Sequence, residues 1–154
     1  MTLDRFDRRI LALLQANADI SVAELAERVG LSKNPCWRRI QKLQSAGVIT
    51  RRVALLDARQ LNVGTTVFVK IRTDQHSLEW LQRLREAVSD LPEVVEFYRM
   101  AGDMDYLLKI VVPSIAAFDS VYKRLIERID IFEVSSYFAM EEIKNSTELP
   151  LDYA

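Results

Sequence analysis

GLSKNPCWRRIQKLQSAG, residues 30–47, is the stretch whose reading decides the fold. Gly30 can take the left-handed conformation that closes a preceding helix and turns the chain. Ser32 suits a helix N-cap, and Pro35 follows slightly later than the ideal first helical position. Cys36, Ile40 and Leu43 then recur at helical spacing on one side, with Trp37 partly beside them, until Gly47 stops the helix. A row of basic side chains, Lys33, Arg38, Arg39 and Lys42, lies on the rest of its surface. A turn leading into a basic amphipathic helix is the pattern of the second helix of a helix-turn-helix, the one that lies in the DNA major groove.

Working outward, the residues before this stretch supply the rest of a trihelical unit. Asp4 is an N-cap for a first helix carrying Phe6, Ile10, Leu11 and Leu14 at helical spacing, and the polar run Gln15–Asp19 ends it. Ser21 followed by Glu24 is a capping-box pattern. It opens a second helix that turns Leu25, Ala26 and Val29 inward. After Gly47, VITRRVALL (48–56) reads as extended, with Arg51 and Arg52 beside the third helix like a short wing. Asp57–Gly64 reads as a structured hinge.

Charge divides the chain in the same place. Residues 1–60 hold 11 Lys and Arg against 6 Asp and Glu, and residues 61–154 hold 10 against 16, a balance of +5 against −6 inside a net charge of −1. From Arg28 to Arg52 there are seven basic residues and no acidic one. A basic half joined to an acidic half predicts two domains, the basic one meeting a polyanion, although a charge run can also be only a solvated face. A single cysteine excludes an intrachain disulfide framework and fits a reducing cytoplasm. No apolar run is long enough to span a membrane, and the polar start is not a signal peptide. One histidine leaves little from which to assemble a metal site or a Ser-His-Asp triad.

Beyond residue 64 the period changes. Thr65–Thr73 alternates, with Val67, Val69 and Ile71 on one face. Ser77–Asp90 is an amphipathic helix with Leu78, Leu81, Leu84 and Val88 in its stripe, broken by Pro92. Val94–Met100 and Tyr106–Val112 are strands joined by the turn AGDMD. Ser114 caps a helix with Ile115, Phe118, Tyr122, Leu125 and Ile129, and Phe132–Ile143 is the last strand. The order βαββαβ is the split βαβ of ferredoxin-like sandwiches, which places both helices on one sheet face. The fold class is therefore α+β. A (winged) helix-turn-helix spans 1–52, a connecting strand or hinge spans 53–64, and a ferredoxin-like domain spans 65–154. The uncovered sheet face keeps Phe68, Tyr98, Met100, Leu107, Val111, Tyr137 and Ala139 among Arg72, Lys109 and Glu141. It is a candidate oligomer interface, or else an ordinary exposed face.

The segments LDRFDRRILALLQ, LSKNPCWRRIQKLQSAGVI, VALLD, PEVVEFYRMAGDMDYLLKI and SSYFAMEEIKNSTELPL resemble those of the Lrp/AsnC (feast/famine) transcriptional regulators over nearly the whole chain. PCW and RMAGDMDYLL are most similar to the branch that responds to cysteine and other sulfur amino acids. The resemblance implies a DNA-binding domain, a sensing domain for a small amino-acid effector, no cofactor, and homodimers that commonly assemble into octamers. A helix entering the major groove uses its N-terminal turns for base edges and its flanks for phosphates. Lys33, Asn34, Arg38 and Gln41 are then the base-edge candidates, since Asn and Gln suit adenine and Arg and Lys suit guanine. Arg39, Lys42, Arg51 and Arg52 are phosphate candidates. Ser32 offers its hydroxyl or the helix N-terminus, and Trp37 completes the DNA-binding set.

For the effector, the resemblance points to a cleft between sensing domains. The matching positions are Met100, Ala101, Gly102, Asp103, Asp105 and Tyr106, with Ser135 and Ser136 in the last strand. Free backbone N–H groups around Gly102 suit an α-carboxylate, and a nearby acid suits an α-ammonium. Gly and Asp in a hairpin are also plain turn formers, and two acids alone do not make a metal site. Cys36 is either a redox-sensing thiol or, more in keeping with its position, core packing. His76 belongs to the surface, and Trp80, off the apolar stripe, belongs to a subunit contact or covers the helix. Two other functions are open to such a chain: an architectural DNA-binding protein without an effector, and an amino-acid-binding module that regulates an enzyme. No nucleophile–base pair or phosphate-binding glycine loop supports catalysis.

Overall fold

The computed structural model describes residues 2–154, which divide into two compact units, residues 2–55 with 144–154, and residues 56–143. In the first unit α1 (Arg5–Ala16), α2 (Val22–Val29) and α3 (Lys33–Ser45) form a trihelical core. Asp4 caps α1 through a full capping box: its carboxylate accepts from the Phe6 and Asp7 N–H groups, and Asp7 accepts from the Asp4 N–H. Ser21 caps α2, which ends on Gly30 at φ 76°, where the Leu31 N–H reaches back to the Ala26 carbonyl at 2.9 Å. A side chain at Gly30 would be strained by that left-handed backbone. Ile10, Leu25, Val29, Cys36, Ile40 and Leu43 are buried together.

The second unit is a four-stranded antiparallel sheet of order β2-β3-β1-β4, built from β1 (Thr65–Arg72), β2 (Val94–Arg99), β3 (Tyr106–Val112) and β4 (Glu133–Phe138). Helices α4 (Leu78–Ser89) and α5 (Ile115–Ile126) pack on one face, over Val67, Val69, Ile71, Leu108, Ile110 and Val112. This is the expected ferredoxin-like order. Phe68, Tyr98, Met100 and Tyr137 stay exposed and are not part of that core.

Four local expectations change. Residues 50–57 form no strand among the described residues, and Val53, Leu55 and Leu56 are exposed. An apolar extended stretch becomes a strand only beside a neighbour that takes its N–H and C=O groups. The last strand stops at Phe138 rather than Ile143, apart from one bond from the Ala139 N–H to the Thr66 carbonyl, so β1 is the limit of its partner. Trp80 is in the core, 1% exposed, its indole N–H donating to the Asp130 carbonyl at 3.0 Å, while Leu78 is exposed. The stripe of α4 thus keeps Leu81, Leu84 and Val88 and has Trp80 and Ala87 in place of Leu78.

The fourth change is at the end of the chain. Residues 144–154, expected with the sensing domain, belong with the helical unit. The Gln15 side-chain amide holds the Leu149 backbone at both ends, donating to its carbonyl at 3.1 Å and accepting from its N–H at 2.7 Å. Leu151 packs against the trihelical core.

Candidate DNA-reading helix and effector face

The trihelical core fixes which sides of α3 are free. Cys36, Ile40 and Leu43 face inward, leaving Lys33, Asn34, Trp37, Arg38, Gln41 and Lys42 exposed at steps of three and four. Ser32 takes the N-cap backbone conformation, yet its hydroxyl makes no capping bond and no acid lies in the first turn. The first N–H groups of α3 and its dipole are therefore open to an anion, as the sequence suggested for Ser32. Gln41 donates to Gln44 at 3.0 Å. No ion pair among the described residues holds Lys33, Arg38 or Lys42. Arg51 and Arg52 are exposed on the irregular segment, with no wing strand to orient them.

Arg39, expected at a phosphate, is committed elsewhere. One guanidinium nitrogen lies 2.7 Å from both Asp4 and Asp7, and the group sits 5.3 Å from the Phe6 ring centroid. Its pKa is raised further by the Asp7 bond first and the Asp4 bond second. The Asp4 carboxyl is held below the usual range by the Asp7 N–H, with Arg39 adding to it. A groove of about 550 Å³ runs here between Asp4 and Asp7 on one side and Asn34, Arg38 and Lys42 on the other. Cys36 is fully buried, and burial pushes its thiol up against a smaller downward pull from Arg39. That environment suits packing rather than a reactive thiolate.

The predicted effector residues separate into three groups. Met100, Ala101, Gly102 and Asp103 form the exposed hairpin, with Gly102 at φ 118°. Asp105 and Tyr106 are structural. The Asp105 carboxylate accepts from the Thr73 N–H at 2.9 Å, and Tyr106 is buried between Trp80 and Phe97, with ring centroids at 5.6 and 5.8 Å. Ser135 and Ser136 face opposite ways: Ser135 is paired with Lys70 on the open face, Ser136 with Val69 on the helix-covered face.

Sequence reasoning missed Lys70. It occupies an outward position of β1 and donates to Asp103 at 2.6 Å, which raises its own pKa and lowers that of Asp103. Its side chain is only 17% exposed. The alternation of β1 placed it on the uncovered face, but only the sheet order brings it beside the hairpin and Ser135. Nearby, Glu96 accepts from Tyr98 at 2.8 Å and Lys109 at 3.0 Å, and Arg72 pairs with Glu133 at 2.9 Å.

Two family models cover this arrangement. Residues 3–50 match a winged helix-turn-helix DNA-binding model, and residues 66–149 match the Lrp/AsnC ligand binding domain. The chain belongs to the Lrp/AsnC family of transcriptional regulators. It is 53% identical over 149 residues to the glutamate uptake regulatory protein of Zymomonas mobilis, covering 97% of this chain and 91% of that protein. An AsnC family regulator from Agrobacterium tumefaciens superposes with a TM-score of 0.95 at 63% identity, covering 98% and 99% of the two chains. A regulator from Neisseria meningitidis, solved as its complex with L-methionine, superposes at 0.93 with 33% identity over 99% of each. As an Lrp/AsnC member the chain is a DNA-binding regulator with a ligand-binding domain, and not an enzyme.

Proposed function

We propose that this regulator reads DNA with the exposed face of α3 and changes that binding when a small amino acid, of the sulfur-containing class, occupies the sheet face beside the Gly102 hairpin. On the DNA side, Lys33, Asn34, Arg38 and Gln41 meet base edges, while Lys42, Arg51 and Arg52 meet phosphates. Ser32 and the open start of α3 meet another phosphate, and Trp37 lies against the groove. Homodimers form through the uncovered sheet face and assemble further into octamers, in the cytoplasm. The half-apolar character of that face supports the pairing.

The observation that carries the effector assignment is the Lys70–Asp103 pair, next to Ser135 and to the Gly102 backbone. A free amino acid brings a carboxylate and an ammonium that match this pair group for group. Its α-carboxylate can take the Lys70 ammonium and the hairpin N–H groups, and its α-ammonium can take Asp103. The methionine complex of the Neisseria relative points to the same ligand class. Of the positions first considered, Met100, Ala101, Gly102, Asp103 and Ser135 fit this role, and Asp105, Tyr106 and Ser136 support it from behind.

Calorimetric titration of the full chain with L-methionine, L-cysteine, L-leucine and L-glutamate tests the assignment. A sulfur amino acid is expected to bind, with Lys70→Met weakening it at least about tenfold through loss of a charge-assisted contact. If none of the four gives heat or a thermal shift, an architectural DNA-binding role replaces the sensor.

A further inference from the structure

The Arg39 network does more than remove one cation from the DNA-facing set. The two carboxylates that hold Arg39 are themselves fixed by backbone. Asp4 accepts from the Phe6 and Asp7 N–H groups at 2.8 and 2.9 Å, and Asp7 accepts from the Asp4 N–H at 3.2 Å. The Asp7 side chain is 8% exposed, and that of Arg39 is 30% exposed. Arg39 therefore grips the rigid first turn of α1, not a pair of mobile surface acids. It also stands next to Arg38 in sequence, about 100° around the helix axis. Holding one position on a rigid helix limits its rotation, and with it the direction in which the Arg38 Cα–Cβ bond points.

We propose that Arg39 is a positioning residue of the DNA-reading helix: anchored on Asp4 and Asp7, it holds α3 in the rotation that the packing of Cys36, Ile40 and Leu43 selects, and is withheld from the phosphates. Two carboxylates beside the one guanidinium offset its charge, which weakens its own pull on a phosphate oxygen. Phe6, with Arg39 at 5.3 Å and Arg5 at 4.7 Å from its ring centroid, limits sideways movement of the guanidinium. Rotation matters because base-edge contacts by Lys33, Asn34, Arg38 and Gln41 depend on angle, whereas phosphate attraction tolerates misalignment. The inference rests on the DNA-contact assignment made above for the exposed face of α3.

The test is fluorescence anisotropy on the full chain, with a duplex selected for tight binding and a scrambled duplex of the same length, each over a range of salt. Arg39→Gln is expected to leave the slope of log affinity against log salt unchanged, because no phosphate contact is lost. It lowers the ratio of selected to scrambled affinity about tenfold, the scale of one misplaced base contact. Arg39→Lys, whose ammonium can sit between the same carboxylates, restores most of that ratio. A slope that falls by about 0.9 in Arg39→Gln makes Arg39 a phosphate ligand and overturns the proposal. An unchanged slope with an unchanged ratio also overturns it, leaving Arg39 a stabilising residue only. If Arg39→Gln does not fold, Asp4→Asn with Asp7→Asn is judged by the same two criteria, since both Asn side chains keep an oxygen for the cap of α1 while neither offers Arg39 a charge. Lys42→Gln, run alongside, bears on the contact assignment separately: its slope falls by about 0.9 if the exposed face of α3 meets phosphate.

Discussion

Cys36 and Asp4 sit on the same small unit and answer to opposite forces. Cys36 is surrounded by apolar side chains, and desolvation holds its thiol protonated. Alkylation of the native protein at pH 8 is expected to be slow and to accelerate on unfolding. Labelling at the rate of an exposed thiol would contradict that. Cys36→Ser buries a hydroxyl in the same cavity and should cost about 1–3 kcal/mol in chemical denaturation. Asp4 instead has its carboxyl held below its ordinary 3.8, chiefly by the Asp7 N–H. A group depressed in the folded state stabilises above its unfolded pKa, and that contribution is lost as pH falls through the folded value. The melting temperature of the helical unit should therefore drop on acidification below about pH 4, and Asp4→Asn should flatten that limb. An acid limb unchanged by Asp4→Asn would exclude the capping carboxylate as its source.

At the scale of elements, the latch on α1 makes the sharpest forecast. Gln15 supplies two hydrogen bonds to Leu149, and Leu151 supplies partly buried apolar surface. Gln15→Ala and Leu151→Ser should each destabilise the helical unit by about 1–2 kcal/mol. Hydrogen exchange should show lost protection at 146–154 and at the end of α1, with the sheet unaffected. Equal exchange at 146–154 in wild type and variants would mean that the segment does not dock. The same element shows what a sequence can and cannot carry. The caps Asp4, Ser21 and Ser114 and the inward residues of α2 and α3 are local and reappear as read, although Ser21 caps without the Glu24 half of its box and Phe6 of α1 lies beside Arg5 and Arg39 rather than in the apolar cluster. Val48–Leu56, the end of β4 and the docking of 144–154 depend on which surface lies alongside, which no period encodes. Trp80 misled because an aromatic at the start of α4 is the residue that reaches Tyr106 and Asp130, two partners set by the tertiary fold. Within the candidate sites, the exposed row on α3 was legible. Arg39 and Lys70 were not, since their partners Asp4, Asp7 and Asp103 lie more than 30 residues away.

For the whole molecule, charge assigns the work. The +5 of residues 1–60 and the −6 of the remainder place DNA affinity in one unit of a chain with net charge −1. The uncovered sheet face, with Phe68, Tyr98 and Tyr137 exposed, is expected to pair copies of the chain. Light scattering after size exclusion should give a dimer or larger for the wild type, and Phe68→Glu with Tyr137→Lys should shift it towards monomer. A wild-type monomer at micromolar concentration would contradict this pairing. Regulation then requires that an amino acid bind two arrangements of the protein with different affinity, for otherwise occupancy changes nothing at the DNA. The most direct measurement is the affinity of the full chain for its selected duplex with and without saturating L-methionine or L-cysteine. One of them is expected to change the dissociation constant by about fivefold or more, and Lys70→Met to abolish that change. Identical affinities, with the amino acid demonstrably bound, would contradict it.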